Sequence, residues 1–306
     1  MCAISGIDMA LLDLKGKVLG VPCYELLGGA YRKDILLYAN YWFTEGGHNE
    51  ADYAEQARAV KAAGFTGLKF DPFAHTNYFY GEDLASNLTL TPAQQDLAFN
   101  VSKAVREAVG PEVDIMIETH AMLNYRIAVK MAERLATLDI AWYEEPAGPE
   151  SSQTLRAMRE RIPSDVAICV GERHYTRFGI RSLLEKHVCD IIMPDITRCG
   201  GPSEMKRMAT MAEAYQVLLA PHNPNGPLST LASSHVCASV PNFFRQEFMF
   251  NDVPWRDTVI DHPIADMVYD GHLHLSDRPG LGVDLVEEEM EKHPGITSNP
   301  PENFYI

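Results

Sequence analysis

Lys69, Glu118, His120, Glu144, Glu145, Glu172, Asp195, His222 and Glu247 share one property in this chain of 306 residues: each lies at the same end of a short apolar run. Asp and Glu without a special task are normally solvated, scattered over helix surfaces and both ends of strands. Here seven consecutive apolar runs deliver ionisable groups to one rim. Glu118, Glu144 and Glu172, from adjacent runs, cannot all stay ionised without a cation, because like charges raise one another's pKa. Oxygen-only ligation favours Mg2+, with Mn2+ as the substitute, over zinc, and three protein ligands leave positions for substrate oxygens and water; the alternative is a proton-sharing carboxylate cluster without metal, which three contributors disfavour. Asp195 and His222 stand 27 residues apart. That is one β/α unit, so a carboxylate would back an imidazole, fixing its tautomer and raising its basicity. His222 is thereby a candidate general base.

The elements that must hold these residues are eight apolar runs read as strands: Ile35–Trp42, Thr66–Phe70, Val113–Ile117, Ile140–Tyr143, Ala167–Val170, Ile191–Met193, Val217–Ala220 and Phe243–Gln246. Amphipathic stretches lie between them. One opens on Thr91-Pro92-Ala93-Gln94, a capping box with proline in the first turn. Another runs from Asn49 to a stop at Gly64. Eight β/α alternations in about 210 residues predict an α/β fold of the closed TIM-type (β/α) barrel kind, whose active site lies at the C-terminal strand ends. An open doubly wound sheet would place a glycine-rich phosphate loop after its first strand. This chain has Tyr41-Trp42-Phe43-Thr44-Glu45 there instead. The expected organisation is a helical lead-in over 1–34, a catalytic barrel over 35–250, and a tail over 251–306 that packs on the barrel or is a remnant cap. The long aromatic connection 71–90 reads as a lid, and Asn299-Pro300-Pro301-Glu302 as an extended strap.

Lys and Arg number 26 against 42 Asp and Glu, a formal charge of −16. That field argues against nucleic acid or an anionic membrane as partner, since phosphate contacts need a basic footprint. The six cysteines form no C-x-x-C pair and no cluster, the pattern of reduced, mostly buried thiols in a cytoplasmic protein. No apolar run approaches the roughly 18 residues of a membrane span, and the N-terminus has no basic n-region of a signal peptide.

Taken in order, the motifs resemble the enolase superfamily, mandelate racemase / muconate-lactonising branch, over most of the chain. Ile7-Asp8-Met9-Ala10-Leu11-Leu12-Asp13-Leu14-Lys15-Gly16-Lys17 and Leu26-Leu27-Gly28-Gly29 are similar to the segment leading into that family's barrel. Trp142-Tyr143-Glu144-Glu145-Pro146 and Gly171-Glu172-Arg173 resemble its metal-ligand motifs, and Met193-Pro194-Asp195 with Pro221-His222 its Asp-His dyad. Pro279-Gly280-Leu281-Gly282-Val283 resembles its closing motif. The resemblance implies a Mg2+-dependent enzyme that removes the proton α to a carboxylate. Glu118, Glu144 and Glu172 would be ligands, His222 the base, Asp195 its orienter, and Glu247 a support for the substrate carboxylate.

Two departures stand out. The first ligand is Glu118 where the family commonly has Asp, and Lys69-Phe70-Asp71 stands where racemases carry Lys-x-Lys. With the second lysine replaced, and His120 placed as in the galactonate-type acid-sugar dehydratases, the resemblance implies a carbon–oxygen lyase. His222 would take the C2 proton of an aldonate and His120 would protonate its C3 hydroxyl, giving a 2-keto-3-deoxy acid. Lys69 would assist electrostatically or bind substrate. The alternatives are a racemase or epimerase of α-hydroxy acids with Lys69 as second base, and a carboxylate-binding or regulatory homologue without turnover. The family's α+β cap is expected to be largely missing, leaving an apolar rim that favours a homo-oligomer.

Overall fold

The computed structural model describes residues 1–43, 49–73 and 90–293. Eight parallel strands carry the architecture: β1 (Asp34–Asn40), β2 (Gly67–Phe70), β3 (Asp114–Glu118), β4 (Trp142–Glu144), β5 (Ile168–Val170), β6 (Ile191–Ile192), β7 (Leu218–Leu219) and β8 (Gln246–Met249). They pair in chain order from β1 to β7, and β8 pairs with β1. A parallel bridge from Leu219 to Phe243, with Phe244 N–H donating to Leu219 O at 2.9 Å, links β7 to the segment entering β8. The sheet thus closes on itself as a barrel. Residues 74–89, most of the expected lid, and the strap at 299–302 lie outside the described residues.

All eight strands shift at one or both ends from the sequence expectation, most by one or two residues and the last by three at each end. The first strand ends before Trp42 because Tyr41 takes φ 60°, a left-handed backbone that leaves the ladder; Trp42 instead donates its indole N–H to Lys69 O at 2.8 Å. The last strand is Gln246–Met249 rather than Phe243–Gln246. Its polar residues hid it: Gln246 is fully buried because Ser234 Oγ donates to its Oε1 at 3.0 Å and its Nε2 donates to Thr230 O at 2.9 Å. Glu247 is therefore a residue within the last strand, not one beyond its end.

The helices follow the same local logic. α1 (Cys2–Leu19) and α2 (Cys23–Leu26) precede β1; α3 (Glu50–Ala62), capped by Asn49, follows it. α4 (Pro92–Val109) has the full Thr91/Gln94 capping box. α5 (Tyr125–Ala136), α6 (Ser152–Arg159), α7 (Thr176–Glu185), α8 (Pro202–Glu213) and α9 (Pro227–Ala238) alternate with the remaining strands. α8 starts at Gly201 with no side-chain cap of its own. Asp8 of α1 supplies it, accepting from Ser203 N and Oγ, both at 2.8 Å, so the anionic group sits where orphan N–H groups need it. Beyond the barrel, β9 (Val268–Tyr269) and β10 (His272–His274) form an antiparallel extension on the start of β1, and α10 (Glu287–Lys292) follows.

Alternation along the strands separates two apolar layers. Tyr38, Met116, Trp142, Cys169, Ile191, Met193 and Ala220 fill the barrel interior; Leu37, Ile115, Ile117, Tyr143 and Ile168 face the helices. All six cysteines are free and five are buried. No helix among the described residues is long and apolar enough to cross a membrane.

Candidate active site

The interior layer dictates which charged side chains reach the mouth. Met116 and Trp142 point inward, so Glu118 and Glu144, two residues further on, do so too. The β3–β4 register sets Glu118 directly beside Glu144. Lys69 pairs with Met116 and Glu247 with Tyr38, which puts both on the inner face. Glu172 comes from the loop after β5, turned there by Gly171 at φ 135°. A Cβ on Gly171 would sit 3.1 Å from Met193 N, so this turn needs glycine for space as well as for conformation.

Glu118, Glu144 and Glu172 converge, each offering an oxygen within 4.8 Å of the others, and all three are buried. Lys69 lies against this set, paired with Glu144, 3.0 Å from Glu247 Oε1 and 3.4 Å from Glu118 Oε2. Burial disfavours its ammonium, but Glu144 and Glu247 outweigh that and hold Lys69 well above the ordinary lysine range. Burial and then the Glu118 charge push Glu144 well above the carboxylate range. Burial also opposes Glu118, yet His120, the bond with Glu144 and Lys69 together pull it below its usual value. Two carboxyls this close cannot both be anionic without a compensating positive charge, whether a proton or a cation. A buried, oxygen-only donor set of this kind fits a hard divalent cation, which would take the place of that proton.

Two carboxylates of the cluster and Glu247 are each held by specific hydrogen bonds. Trp142 Nε1 donates to Glu144 Oε2 at 2.7 Å, and the backbone N–H groups of Thr119 and His120 donate to Glu118 Oε1 at 2.9 and 2.6 Å. Glu247 accepts from Asn223 N at 2.5 Å and from Asn40 Nδ2 at 2.6 Å. Such orienting bonds are what keep ligand carboxylates in place.

His222 Nδ1 lies 2.9 Å from Asp195 Oδ2, and its Nε2 lies 3.1 Å from Glu172 Oε2. Thr197 N and Oγ1 donate to Asp195 Oδ1 at 2.7 and 2.6 Å. Burial opposes the Asp195 charge, but the His222 hydrogen bond and its neighbours win and bring the carboxyl down to about 2. An ionised Asp195 can only accept, so Nδ1 carries the proton and Nε2 is the basic atom. Burial would lower His222, whereas Glu172 and Glu247 outweigh it and leave the imidazole raised.

His120 forms a second dyad that the sequence reading did not foresee. Its Nδ1 lies 3.0 Å from Asp71 Oδ2. Burial opposes protonation, but Glu118 and Asp71 outweigh it and lift the imidazole to about 9. The available signal was Asp71's position at the end of β2, on the same rim as the other charged residues. Glu145, in contrast, turns away at φ 44°, accepting from Gly171 N at 2.9 Å and pairing with Arg173 at 2.5 Å. It braces the Glu172 loop and does not join the cluster.

The described residues therefore bring together Lys69, Glu118, His120, Glu144, Glu172, Asp195, His222 and Glu247 at one end of the barrel. The His120 dyad is carried by β2 and β3 and the His222 dyad follows β6 and β7, four strands apart in an eight-stranded barrel. They face each other across its mouth, with the β3–β5 carboxylates between. That arrangement can take a proton on one side and supply one on the other.

The chain is similar to known proteins over most of its length. Residues 52–289 match the family model "Enolase C-terminal domain-like", and residues 1–28 match the N-terminal domain of mandelate racemase / muconate lactonizing enzyme. A D-xylonate dehydratase of Haloferax volcanii is 33% identical over 95% of this chain and 69% of its own. A D-gluconate dehydratase of Thermoproteus tenax is 34% identical over 98% of this chain, which spans only 57% of that relative's length. Among solved structures, a mandelate racemase/muconate lactonizing enzyme-like protein from Rubrobacter xylanophilus superposes with a TM-score of 0.87 at 36% identity, covering 96% of this chain and 77% of its own.

Proposed function

The chain belongs to the mandelate racemase / muconate lactonizing enzyme family of the enolase superfamily, and from that premise we propose that it is a Mg2+-dependent dehydratase of sugar acids. His222 Nε2 takes the C2 proton of an aldonate. The C3–O bond then breaks, its electron pair leaves with oxygen, and His120 Nε2 supplies the proton that completes water. The resulting enol becomes a 2-keto-3-deoxy acid. Glu118, Glu144 and Glu172 would hold the divalent cation, whose charge would stabilise the negative charge developing on the substrate's carboxylate oxygens. Lys69, held cationic by Glu144 and Glu247, would fix the rest of that carboxylate, with Glu247 orienting the ammonium.

The observation that carries this reading is the pair of dyads on opposite sides of the mouth, a base facing an acid. Racemisation through Lys69 is disfavoured by the same geometry, since a lysine locked between buried carboxylates is a poor proton acceptor. The names of the relatives in Haloferax and Thermoproteus support the substrate class. The test is to incubate the chain with Mg2+ and D-xylonate, D-gluconate or D-galactonate and assay keto acid. At least one should yield it, in a reaction stopped by EDTA and restored by Mg2+. Turnover that is indifferent to EDTA would contradict the proposal.

A further inference from the structure

Asp71 belongs to neither the cation cluster nor the His222 dyad, yet it is only 2% exposed and both its oxygens are engaged. Phe73 N donates to Oδ1 at 2.7 Å, a local turn that fixes the plane of the carboxylate. Oδ2 is thereby aimed at His120 Nδ1, 3.0 Å away. His120 is held at its other end as well: its backbone N–H donates to Glu118 Oε1 at 2.6 Å, and its φ of 49° is followed by 57° at Ala121. Two successive non-glycine residues in the left-handed region are costly and persist only where surroundings enforce them. The ring, with a side chain 34% exposed, projects from this clamp toward the mouth.

We infer that Asp71 is the positioning residue for the acid, the counterpart of Asp195 for the base. An ionised carboxylate only accepts, so Asp71 keeps a proton on Nδ1 and makes Nε2 the atom that gives up its proton to the C3 hydroxyl. Asp71 itself touches no substrate and remains ionised as the C3–O bond breaks and water departs. The inference rests on the dehydratase reading and deepens it, since it assigns a role to the residue that replaces the racemases' second lysine.

The test uses the full chain with Mg2+ in D2O, on whichever of D-xylonate, D-gluconate and D-galactonate it dehydrates, and on the matching 3-deoxy-3-fluoro acid. Fluoride departs without a proton, so it bypasses the acid. Asp71→Asn should lower kcat for water loss about 10- to 100-fold, the usual cost of losing an orienting partner, with KM and fluoride loss within about threefold of the unaltered chain. Exchange of the C2 hydrogen with solvent should persist, which also reports a folded variant. His120→Gln should show the same split, and the double variant should be no worse than His120→Gln alone. Equal losses of water and fluoride elimination, unchanged water loss, or additive effects in the double variant would overturn the inference while leaving the dehydratase reading standing. An unaltered chain that exchanges the C2 hydrogen yet forms no keto acid overturns both.

Discussion

His222 is the residue on which the account turns, and its two ring nitrogens have separate tasks: Nδ1 is held by Asp195 and Nε2 points to the cluster at Glu172. Replacing it by Asn removes the proposed base and its contact with Glu172 but keeps all three carboxylates of the cluster. His222→Asn should therefore lose about 10²- to 10⁴-fold in C2-hydrogen exchange, while Mg2+ affinity by calorimetry changes little; a parallel loss of both would mean that the histidine merely props the ligands. This dyad was legible in the sequence because one β/α unit separates its members. Asp71 and His120 were harder, since 49 residues and a long connection separate them and the aspartate reads first as a lost lysine. Asn40 and Asn223 carried no chemical signal at all, and Trp142 entered only as part of the motif around Glu144. Their roles come from side-chain direction, which only the closed barrel fixes.

Elements show where propensity and tertiary contact divide the work. The α4 capping box was readable from four residues, whereas the cap on α8 was not, because its carboxylate is Asp8, some 195 residues away. β8 escaped correct placement for a related reason: its buried Gln246 and Glu247 are satisfied by partners on other elements, and an apolarity pattern cannot register that. The contact of α9 with α2 is another such joint and gives a pH prediction. His235 on α9 accepts Tyr24 N–H through Nδ1 at 3.2 Å, and its buried Nε2 has no partner among the described residues. Burial lowers its pKa from 6.5 to about 4. The folded state thus binds this proton more weakly than the unfolded chain. Its contribution is fully present above pH 6.5 and is lost as pH falls from 6.5 toward 4, by about 3 kcal/mol in all. Denaturant midpoints across that window should show the fall, and His235→Gln should flatten it; an unchanged slope in the variant would assign the acid sensitivity elsewhere.

At the scale of the whole molecule, the closed eight-stranded barrel was foreseeable because eight apolar runs alternated with amphipathic stretches and seven of those runs ended in ionisable groups. The −16 charge now divides into two parts. Some of it is the buried cluster that would hold the cation; the remainder is a surface field that opposes an anionic substrate. Raising ionic strength from about 10 to 200 mM shortens the screening length severalfold, so kcat/KM for an aldonate should rise with KCl; a fall would place a net positive field at the mouth. On the outer face of α1, Ile4, Ile7, Leu11, Leu14 and Val18 remain exposed, a stripe at helical spacing. The central claim is that proton removal at C2 leads to loss of the C3 hydroxyl. Its most direct measurement is mass and NMR analysis of the products formed from an aldonate by the full chain with Mg2+ in D2O. The account predicts a 2-keto-3-deoxy acid bearing solvent deuterium at C3, absent with His222→Asn. Aldonate recovered with deuterium and inverted configuration at C2, and no keto acid, would contradict it.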